Sequence, residues 1–479
     1  MLKFKKITDI KDVKIIERYT SQTDSHFSNM INSVFFAWTK VYPKEYCIYN
    51  GALIIKEFDY RNDNSCEFYL PIGKNALGAI KKIVEYAQKE NKDLVFSCLT
   101  EENIEMLSSK FPVTERGYDR RWSDYIYLAE DMRTFKGKKY AGQRNHINKF
   151  EKLYGSYEYK VMTKESIPEV LDFLREFGKY REFVSESEVV EYKLCFDIIN
   201  NMFKLGMVGG YIVNNGKIVA ISVGEVRNDM LYIAIEKASR FHEGAYQVMV
   251  REFARHNTGD FVKYINREDD SGDEGLRTSK LQYKPIEIKH KHFLKIGTLF
   301  ERFVYPVEIH GSSVYLDDIT EEDGENFRRL CADERNNVYW GYDYKSDEKA
   351  SATAEYFLGF VKRMIKKKEE YSLAVRYEDK FIGEAVFHGF DYYGGVELGV
   401  RILPEYQGKN LGVSIVTAMV GYATRRLNAS EIRMKCYHEN VASAKMIKGA
   451  GFRKVRSDDK YHYYRIKFYK NNISHNNKT

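Results

Sequence analysis

The segment that most constrains the fold of this chain runs from Val396 to Leu427. It begins with an apolar strand, continues through the small residues of Gln407–Gly412 (QGKNLG), and ends with a helical pattern that has one broad apolar face. In a strand, turn and helix of this kind, the unpaired N–H groups of the helix start favour a phosphate. The segment therefore predicts an α+β domain with an anion-binding turn. A glycine-containing turn without a ligand is the alternative, because short glycine motifs are weak signals.

Two segments downstream extend this pattern. Ser430–His438 alternates as a strand does, and Asn440–Phe452 reads as an N-cap, a helix, a terminal glycine and a new strand. In this order the segments resemble the GNAT acetyltransferase superfamily, whose Q/R-x-x-G-x-G/A turn holds the pyrophosphate of coenzyme A. The resemblance covers about residues 307–469. It is nearest to the subgroup that acetylates ribosomal-protein amino termini, because Asn440 and Ser443 match that subgroup.

This resemblance implies acetyl-CoA as co-substrate and a primary amine as acceptor, either a small molecule or a protein amino terminus. Asn410 stands where the family has its middle glycine, which is a mild departure because Asn adopts left-handed backbone readily. The cofactor-binding residues implied by the resemblance are Val400, Ile402, Gln407, Gly408, Lys409, Asn410, Leu411, Gly412 and Asn440.

Amine acetylation needs a base for the attacking nitrogen and donors for the thioester oxygen. Glu397 is the candidate base, directly or through water, and a solvent-exposed carboxylate at a strand edge is the alternative for it. By resemblance, the backbone of Val400 and Ile402 pairs with the pantetheine arm. Many family members use a tyrosine as general acid where Ile447 stands here. Ser443 could protonate the leaving thiolate instead, or could only cap its helix.

The order of strand-like and helix-like stretches recurs three times in 479 residues, which matches roughly 150 residues per domain. We expect an α+β chain of three acetyltransferase-like (GNAT) folds, with mixed sheets flanked by helices and the first two folds tightly paired. The predicted boundaries are 1–134 and 135–297 for the paired folds, 298–470 for the acetyl-CoA-binding domain, and 471–479 for a flexible tail.

The segment Tyr264–Pro285 (YINREDDSGDEGLRTSKLQYKP) is the most specific feature of the amino-terminal part. Together with Ser25–Trp38, it resembles the soluble catalytic domain of phosphatidylglycerol lysyltransferases over about residues 1–294. That resemblance implies tandem acetyltransferase-like folds that use aminoacyl-tRNA. Carboxylates here could hold an amino acid's ammonium, and cationic side chains could meet phosphate or a terminal adenosine. The candidates for this second site are Asn266, Glu268, Asp270, Arg277 and Lys280.

Two alternatives stay open for this part. The acidic turn could be a salt-bridged turn that ties a helix to the sheet. The basic segment Phe135–Gly155, with aromatic residues among its lysines, could track an RNA backbone or could be a solvated helix face. Accordingly, the amino-terminal part is either an aminoacyl-tRNA-dependent aminoacyltransferase or a non-catalytic module that binds a substrate for the acetyltransferase.

Composition limits the remaining possibilities. The net charge of +7 is mild for this length, and no apolar run approaches the 18 or so residues that cross a bilayer, so we expect a cytoplasmic protein without a transmembrane segment. The six cysteines occur singly, which favours reduced, mostly buried thiols. His290 and His292 lack acidic or thiolate partners nearby in sequence, so no metal site is predicted.

Overall fold

The computed structural model describes residues 2–58, 65–90, 92–183, 185–340, 344–346 and 351–468. The chain forms two compact units. Unit 1 comprises Met1–Glu105 and Arg116–Lys295, and unit 2 comprises Met106–Glu115 and Ile296–Thr479. The tail 471–479, for which flexibility is predicted, lies outside the described residues.

The first 296 residues alternate strands with helices. The strands are β1 (Lys5–Lys6), β2 (Lys44–Tyr49), β3 (Ala52–Glu57), β4 (Ser65–Tyr69), β5 (Ile72–Gly73), β6 (Asp93–Leu99), β7 (Val113–Tyr118), β8 (Asp124–Leu128), β9 (Glu158–Val161), β10 (Val208–Asn214), β11 (Lys217–Arg227), β12 (Met230–Ala238), β13 (Tyr264–Asn266), β14 (Glu287–Lys289) and β15 (His292–Ile296). The helices are α1 (Ile10–Thr20), α2 (Asn32–Ala37), α3 (Ala76–Lys89), α4 (Glu101–Ser108), α5 (Ala129–Thr134), α6 (Ala141–Tyr154), α7 (Ile167–Lys179), α8 (Glu186–Leu205), α9 (Ala245–Asn257) and α10 (Glu274–Gln282).

These strands form two mixed sheets. The first contains the neighbouring strands β1-β2-β3-β4-β6-β15, with β5 beside β3, and the second has the order β14-β8-β13-β12-β11-β10-β9. Strand β8 precedes residue 134 yet lies in the second sheet, while β15 follows all strands of the second sheet yet lies in the first. Each sheet thus draws a strand from both predicted segments, and the boundary between 134 and 135 stays a prediction.

The remaining elements form one further mixed sheet and its helices. The strands are β16 (Glu308–His310), β17 (Tyr315–Asp318), β18 (Glu370–Tyr377), β19 (Lys380–His388), β20 (Gly395–Ile402), β21 (Glu431–Tyr437), β22 (Arg453–Ser457) and β23 (Tyr461–Lys467). The helices are α11 (Gly324–Ala332), α12 (Glu334–Asn337), α13 (Ala354–Lys366), α14 (Leu411–Arg425) and α15 (Val441–Gly449). The sheet order is β16-β17-β18-β19-β20-β21-β23-β22, and β20 and β21 run parallel.

The apolar face of α14 explains how unit 2 closes its core. Ile415, Val416 and Met419 are completely buried, and they share one apolar cluster with Val396 of β20 and Ile432 of β21. Because residues alternate across a strand, the neighbours of Val396 in β20 point to the opposite face of the sheet. The expected fold class, three mixed sheets flanked by helices, is confirmed.

The structure bears on two expectations from composition, one about the cysteines and one about transmembrane helices. All six cysteines are free, as expected for cysteines that occur singly in the sequence. Five of them are buried, and Cys98 is half-buried. Within the described ranges, no helix combines the length and the apolarity needed to cross a bilayer.

Candidate functional site

The first candidate site lies where two parallel strands of unit 2 separate. Strand β20 pairs with β19 from Glu397 to Ile402, but its pairs with β21 are confined to residues 395–397. Beyond Glu397 the edge of β20 toward β21 is therefore open along the described residues. Val400 and Ile402, the residues expected to pair with a pantetheine arm, lie in this open part of the strand.

The turn that follows has the geometry of an anion cradle. Gly408 has φ +77°, and a Cβ placed on it would meet nothing within 4 Å, so the backbone here is accessible from outside. Asn410 takes the left-handed conformation, with φ +62°, at the N-cap of α14, and its side chain makes no capping hydrogen bond. The first N–H groups of a 15-residue helix and its dipole therefore favour an anion at this turn. These features fit the pyrophosphate of coenzyme A.

The other predicted cofactor residues shape the turn in different ways. Gln407 Nε2 donates to Ile402 O and to Asn336 Oδ1, both at 2.9 Å, and so ties the turn to β20. Lys409 Nζ lies 5.0 Å from the centroid of the Tyr406 ring. Leu411 packs into the core.

Gly412 and Asn440 position α15 beside this turn. A Cβ placed on Gly412 would come within 2.6 Å of Met446 Sδ in α15, so glycine allows the two helices to approach closely. Asn440 caps α15, because its Oδ1 accepts a hydrogen bond from Ser443 N at 2.9 Å. The hydroxyl-bearing side chain of Ser443 is half-buried in the first turn of that helix.

Glu397 lies at the point where the strands separate. Its Oε1 is 3.0 Å from Lys435 Nζ and 3.8 Å from His388 Nε2, and its side chain is 19% exposed. Sequence analysis did not find His388. Its position depends on the register of β19 and β20, which places it directly opposite Glu397, and no local pattern encodes that register.

The second candidate site is a cavity of about 2150 Å³ in unit 1. Carboxylates outnumber cationic side chains among the residues that line it. Of the predicted second-site residues, Glu268, Asp270 and Lys280 line the cavity, whereas Asn266 and Arg277 are not among its lining residues. An excess of buried and rim carboxylates suits a ligand that carries a cationic group.

The acidic turn is built around Asp270, which is completely buried. Its carboxylate accepts two hydrogen bonds from Arg277, at 2.9 and 3.0 Å, one from Arg120 at 3.1 Å and one from the Tyr125 hydroxyl at 2.6 Å. Burial alone would raise the pKa of Asp270, but the hydrogen bonds from Arg277 and Tyr125 hold it at about 2. These contacts are those of the salt-bridged turn considered above.

Glu268 lies at the start of the acidic turn and Lys280 lies on α10, and both line the cavity. Lys280 Nζ donates to the carbonyl oxygens of Arg267, at 2.6 Å, and Asp269. Burial raises the pKa of Glu268 and lowers the pKa of Lys280, because loss of solvating water disfavours both charged forms. Asn266, which is fully buried, donates to Asp124 Oδ2 at 3.0 Å and accepts from Glu268 N at 2.7 Å.

The inner wall of the cavity contains charged residues that sequence analysis missed. Lys44 is only 6% exposed and pairs with Glu57, and burial lowers the pKa of Lys44 to about 8. Lys291 Nζ lies 2.7 Å from Asp124 Oδ1. The available signal was a pair of oppositely charged residues, Lys56 and Glu57, directly after the apolar run of β3, since charged groups next to a core are buried only with a partner.

The basic segment forms helix α6, which buries Ile147 and Phe150 and presents its lysines outward. It borders the cavity, because Lys149 Nζ lies 2.7 Å from Oε1 of Glu243, a lining residue. Arg144 donates to the carbonyl oxygens of Phe135 and Gly137 and so supports the preceding loop.

Comparisons with known proteins match different families to the amino-terminal and carboxy-terminal parts of the chain. Residues 20–294 match the family described as phosphatidylglycerol lysyltransferase, C-terminal, and residues 313–453 match the acetyltransferase (GNAT) domain family. The crystal structure of a conserved protein of unknown function from Bacteroides thetaiotaomicron is 30% identical, with a TM-score of 0.56, and the match covers 62% of this chain and 100% of that one.

Two curated relatives match parts of the chain. An uncharacterized protein of Mycoplasmoides gallisepticum is 25% identical over 207 residues, which are 41% of this chain, and the uncharacterized N-acetyltransferase YnaD of Bacillus subtilis is 29% identical over 86 residues, which are 18% of it. The chain spans 63% and 51% of the lengths of these two relatives. Because the first family match covers more than half of its residues, the chain belongs to the phosphatidylglycerol lysyltransferase C-terminal family, and it carries a GNAT acetyltransferase domain in addition.

Proposed function

We propose that unit 2 transfers an acetyl group from acetyl-CoA to a primary amine, either a small molecule or a protein amino terminus. The observation that carries this proposal is the open edge of β20 next to the cradle at Gly408–Gly412. The N–H groups of the cradle and the dipole of α14 would hold the pyrophosphate. The backbone of Val400 and Ile402 would then guide the pantetheine arm toward Glu397.

Within this proposal, Glu397 assists removal of a proton from the acceptor nitrogen. Ser443 is the candidate donor for the leaving thiolate, because its side chain lies in the first turn of α15 and Ile447 cannot donate a proton. Asn440 would contribute to cofactor binding through the helix start that it caps.

A direct assay tests this function. The full chain is incubated with acetyl-CoA and, separately, with n-butylamine, spermidine and a tripeptide with a free α-amino group, and released thiol is measured. We expect thiol release with at least one amine and a product that is heavier by one acetyl group. Absence of release with all three amines, in protein that binds acetyl-CoA by calorimetry, would contradict amine acetylation.

We propose a second function for unit 1, aminoacyl transfer from aminoacyl-tRNA. Three observations favour it, namely the family membership, the large acidic cavity, and the position of the basic helix α6 at the cavity rim. The carboxylates would meet the ammonium of the aminoacyl group, while exposed lysines of α6 would contact phosphates. The alternative is a non-catalytic module that binds the amine for unit 2.

Ribonuclease separates these alternatives. The full chain is supplied with tRNA charged with a radiolabelled amino acid, and transfer of the label to a product other than RNA or free amino acid is measured with and without ribonuclease. Aminoacyl transfer requires that the treatment abolish the labelled product. If no such product forms while the chain still binds the amine acceptor of unit 2, the binding-module alternative holds.

A further inference from the structure

One face of the sheet in unit 2 gathers polar groups around the end of the strand pairing. His388 and Glu397 are directly opposite in the β19–β20 register, so their side chains lie on the same face. Gly399 lies on the same face, because it is two residues after Glu397 in β20. Lys435 also lies on this face, because it is two residues after Arg433, the partner of Glu397 in β21. The core occupies the other face, because the intervening Val396 and Leu398 pack against α14.

Little free space remains on this face of the sheet near His388. A Cβ placed on Gly399 would lie 3.2 Å from the Trp340 ring and 3.8 Å from His388 Nε2. The side chain of His388 is 28% exposed, so the imidazole is partly buried but still accessible to a small molecule. An amine that approaches the open edge of β20 on this face therefore passes the imidazole and the carboxylate together.

The two groups differ in their capacity to accept a proton. One oxygen of Glu397 is already engaged by Lys435 at 3.0 Å, whereas His388 Nε2 is 3.8 Å from that same oxygen, which is longer than a hydrogen bond. An ordinary imidazole is also a stronger base than an ordinary carboxylate, with pKa values of about 6.5 and 4.3.

We propose that His388 Nε2 accepts the proton of the attacking amine, and that Glu397 is a positioning residue that stabilises the resulting imidazolium. This inference rests on the proposed acetyl transfer by unit 2. The amine nitrogen forms its bond to the acetyl carbonyl carbon and the carbon–sulfur bond breaks. The nitrogen loses a proton to His388 Nε2. The thiolate takes a proton from the Ser443 hydroxyl, and the imidazolium releases its proton through water to Ser443, which regenerates the neutral ring and the hydroxyl.

Burial and the charges around His388 favour the neutral form of its imidazole. Burial lowers the pKa of His388. The positive charges of Lys435 and Arg433, both on β21, also lower this pKa, whereas the negative charge of Glu397 on β20 raises it. Glu370 on β18 is the cross-strand neighbour of His388 on its other side. The ring is consequently neutral at pH 7 and able to accept a proton.

The test is the pH dependence of thiol release by the full chain, with the amine of the panel that reacts fastest. We expect His388→Gln to lower kcat by about 10²- to 10⁴-fold, with the calorimetric Kd for acetyl-CoA unchanged. The acid limb of the kcat/KM profile should be lost in the same variant. His310→Gln, which changes a histidine on the edge strand β16, should leave the rate within twofold.

Two further variants test the electrostatic role and do not depend on the folding of His388→Gln. Glu397→Gln should move the acid limb to lower pH, because it removes the charge that raises the pKa of His388, and Lys435→Met should move the limb to higher pH. An active wild type whose acid limb persists in His388→Gln, or does not move in either charge variant, would overturn this inference alone. A wild type that releases no thiol would overturn the proposed acetyl transfer, and the role of His388 with it.

Discussion

Gly408 is the residue at which the charge of the cradle can be changed with the least disturbance. A side chain at this position enters open space, and Asn and Asp tolerate positive φ better than most other residues. Gly408→Asn and Gly408→Asp are therefore a matched pair that differs only in charge. We expect acetyl-CoA to bind the Asp variant at least tenfold more weakly than the Asn variant, because a carboxylate repels the pyrophosphate.

Calorimetry at low and high salt checks this prediction. The difference between the two variants should shrink as salt rises, since exposed charges are screened. Equal affinities at low salt would show that the phosphates bind away from this turn.

Asp270 allows a prediction about stability and pH. Its folded-state pKa of about 2 lies below its ordinary value of 3.8, so the carboxylate stabilises the fold above about pH 4 and this contribution is lost as the pH falls toward 2. Asp270→Asn leaves Arg277 and Arg120 with an uncharged partner. We expect it to lower the free energy of unfolding by about 3 kcal/mol at pH 7.

Denaturant unfolding from pH 7 to pH 2 measures this effect. The deficit of Asp270→Asn relative to wild type should narrow as the pH falls below 4, because the wild type then loses the same charge. Asp260→Asn, a change at an exposed position, serves as control and should unfold like the wild type. A variant with wild-type stability but impaired tRNA binding would instead place Asp270 in contact with the substrate.

At the scale of elements, the start of α15 carries two roles that can be separated. Asn440 accepts a hydrogen bond from Ser443 N, so Asn440→Ala removes a cap and should cost about 1 kcal/mol of unfolding free energy. Asn440→Ser keeps a capping oxygen and should unfold nearly as the wild type does. Comparing the acetyl-CoA affinity of these two variants by calorimetry then measures how much the cap supports cofactor binding, and we expect the Ala variant to bind acetyl-CoA more weakly.

Helices with strong apolar spacing could be predicted from the sequence nearly to the residue. Apolar positions three and four apart predict a helix over Asn75–Glu90, and α3 spans Ala76–Lys89. The Asn-Gly pair at 215–216 predicts a hairpin, and both of its residues have positive φ between β10 and β11. These signals are local, so the fold of each element follows from its own residues.

Pairing between distant elements could not be predicted in the same way. Nothing in the short segment His292–Ile296 indicates that β15 joins the first sheet instead of the second. The cradle at Gly408–Gly412 was predictable because a turn and a helix start are contiguous. His388 was not, because its relation to Glu397 arises only from the antiparallel register of β19 and β20.

The chain joins a GNAT domain to a domain of the phosphatidylglycerol lysyltransferase C-terminal family. The activities proposed for these two parts should respond differently to removal of RNA. Acetyl transfer should be unaffected by ribonuclease, since none of its participants is RNA. Aminoacyl transfer and tRNA binding should be lost. Parallel assays on one preparation of the full chain measure both activities, and inhibition of acetyl transfer by ribonuclease would mean that the two units act on one RNA-linked substrate.

Salt dependence provides the last test of tRNA binding by the full chain. Lys138 and Lys152 are exposed near and on α6, whereas Lys139 pairs with Asp131 and Arg144 supports the loop before the helix. Each phosphate contact contributes about 0.7 to 0.9 to the slope of log affinity against log salt, so changing Lys138 and Lys152 together to Ala should flatten the slope by about one to two units. The matched change of Lys366 and Lys367, exposed at the end of α13, should leave it unaltered. If the wild type has no affinity for tRNA even at low salt, where attraction is strongest, aminoacyl transfer from tRNA is contradicted and the binding-module alternative takes its place.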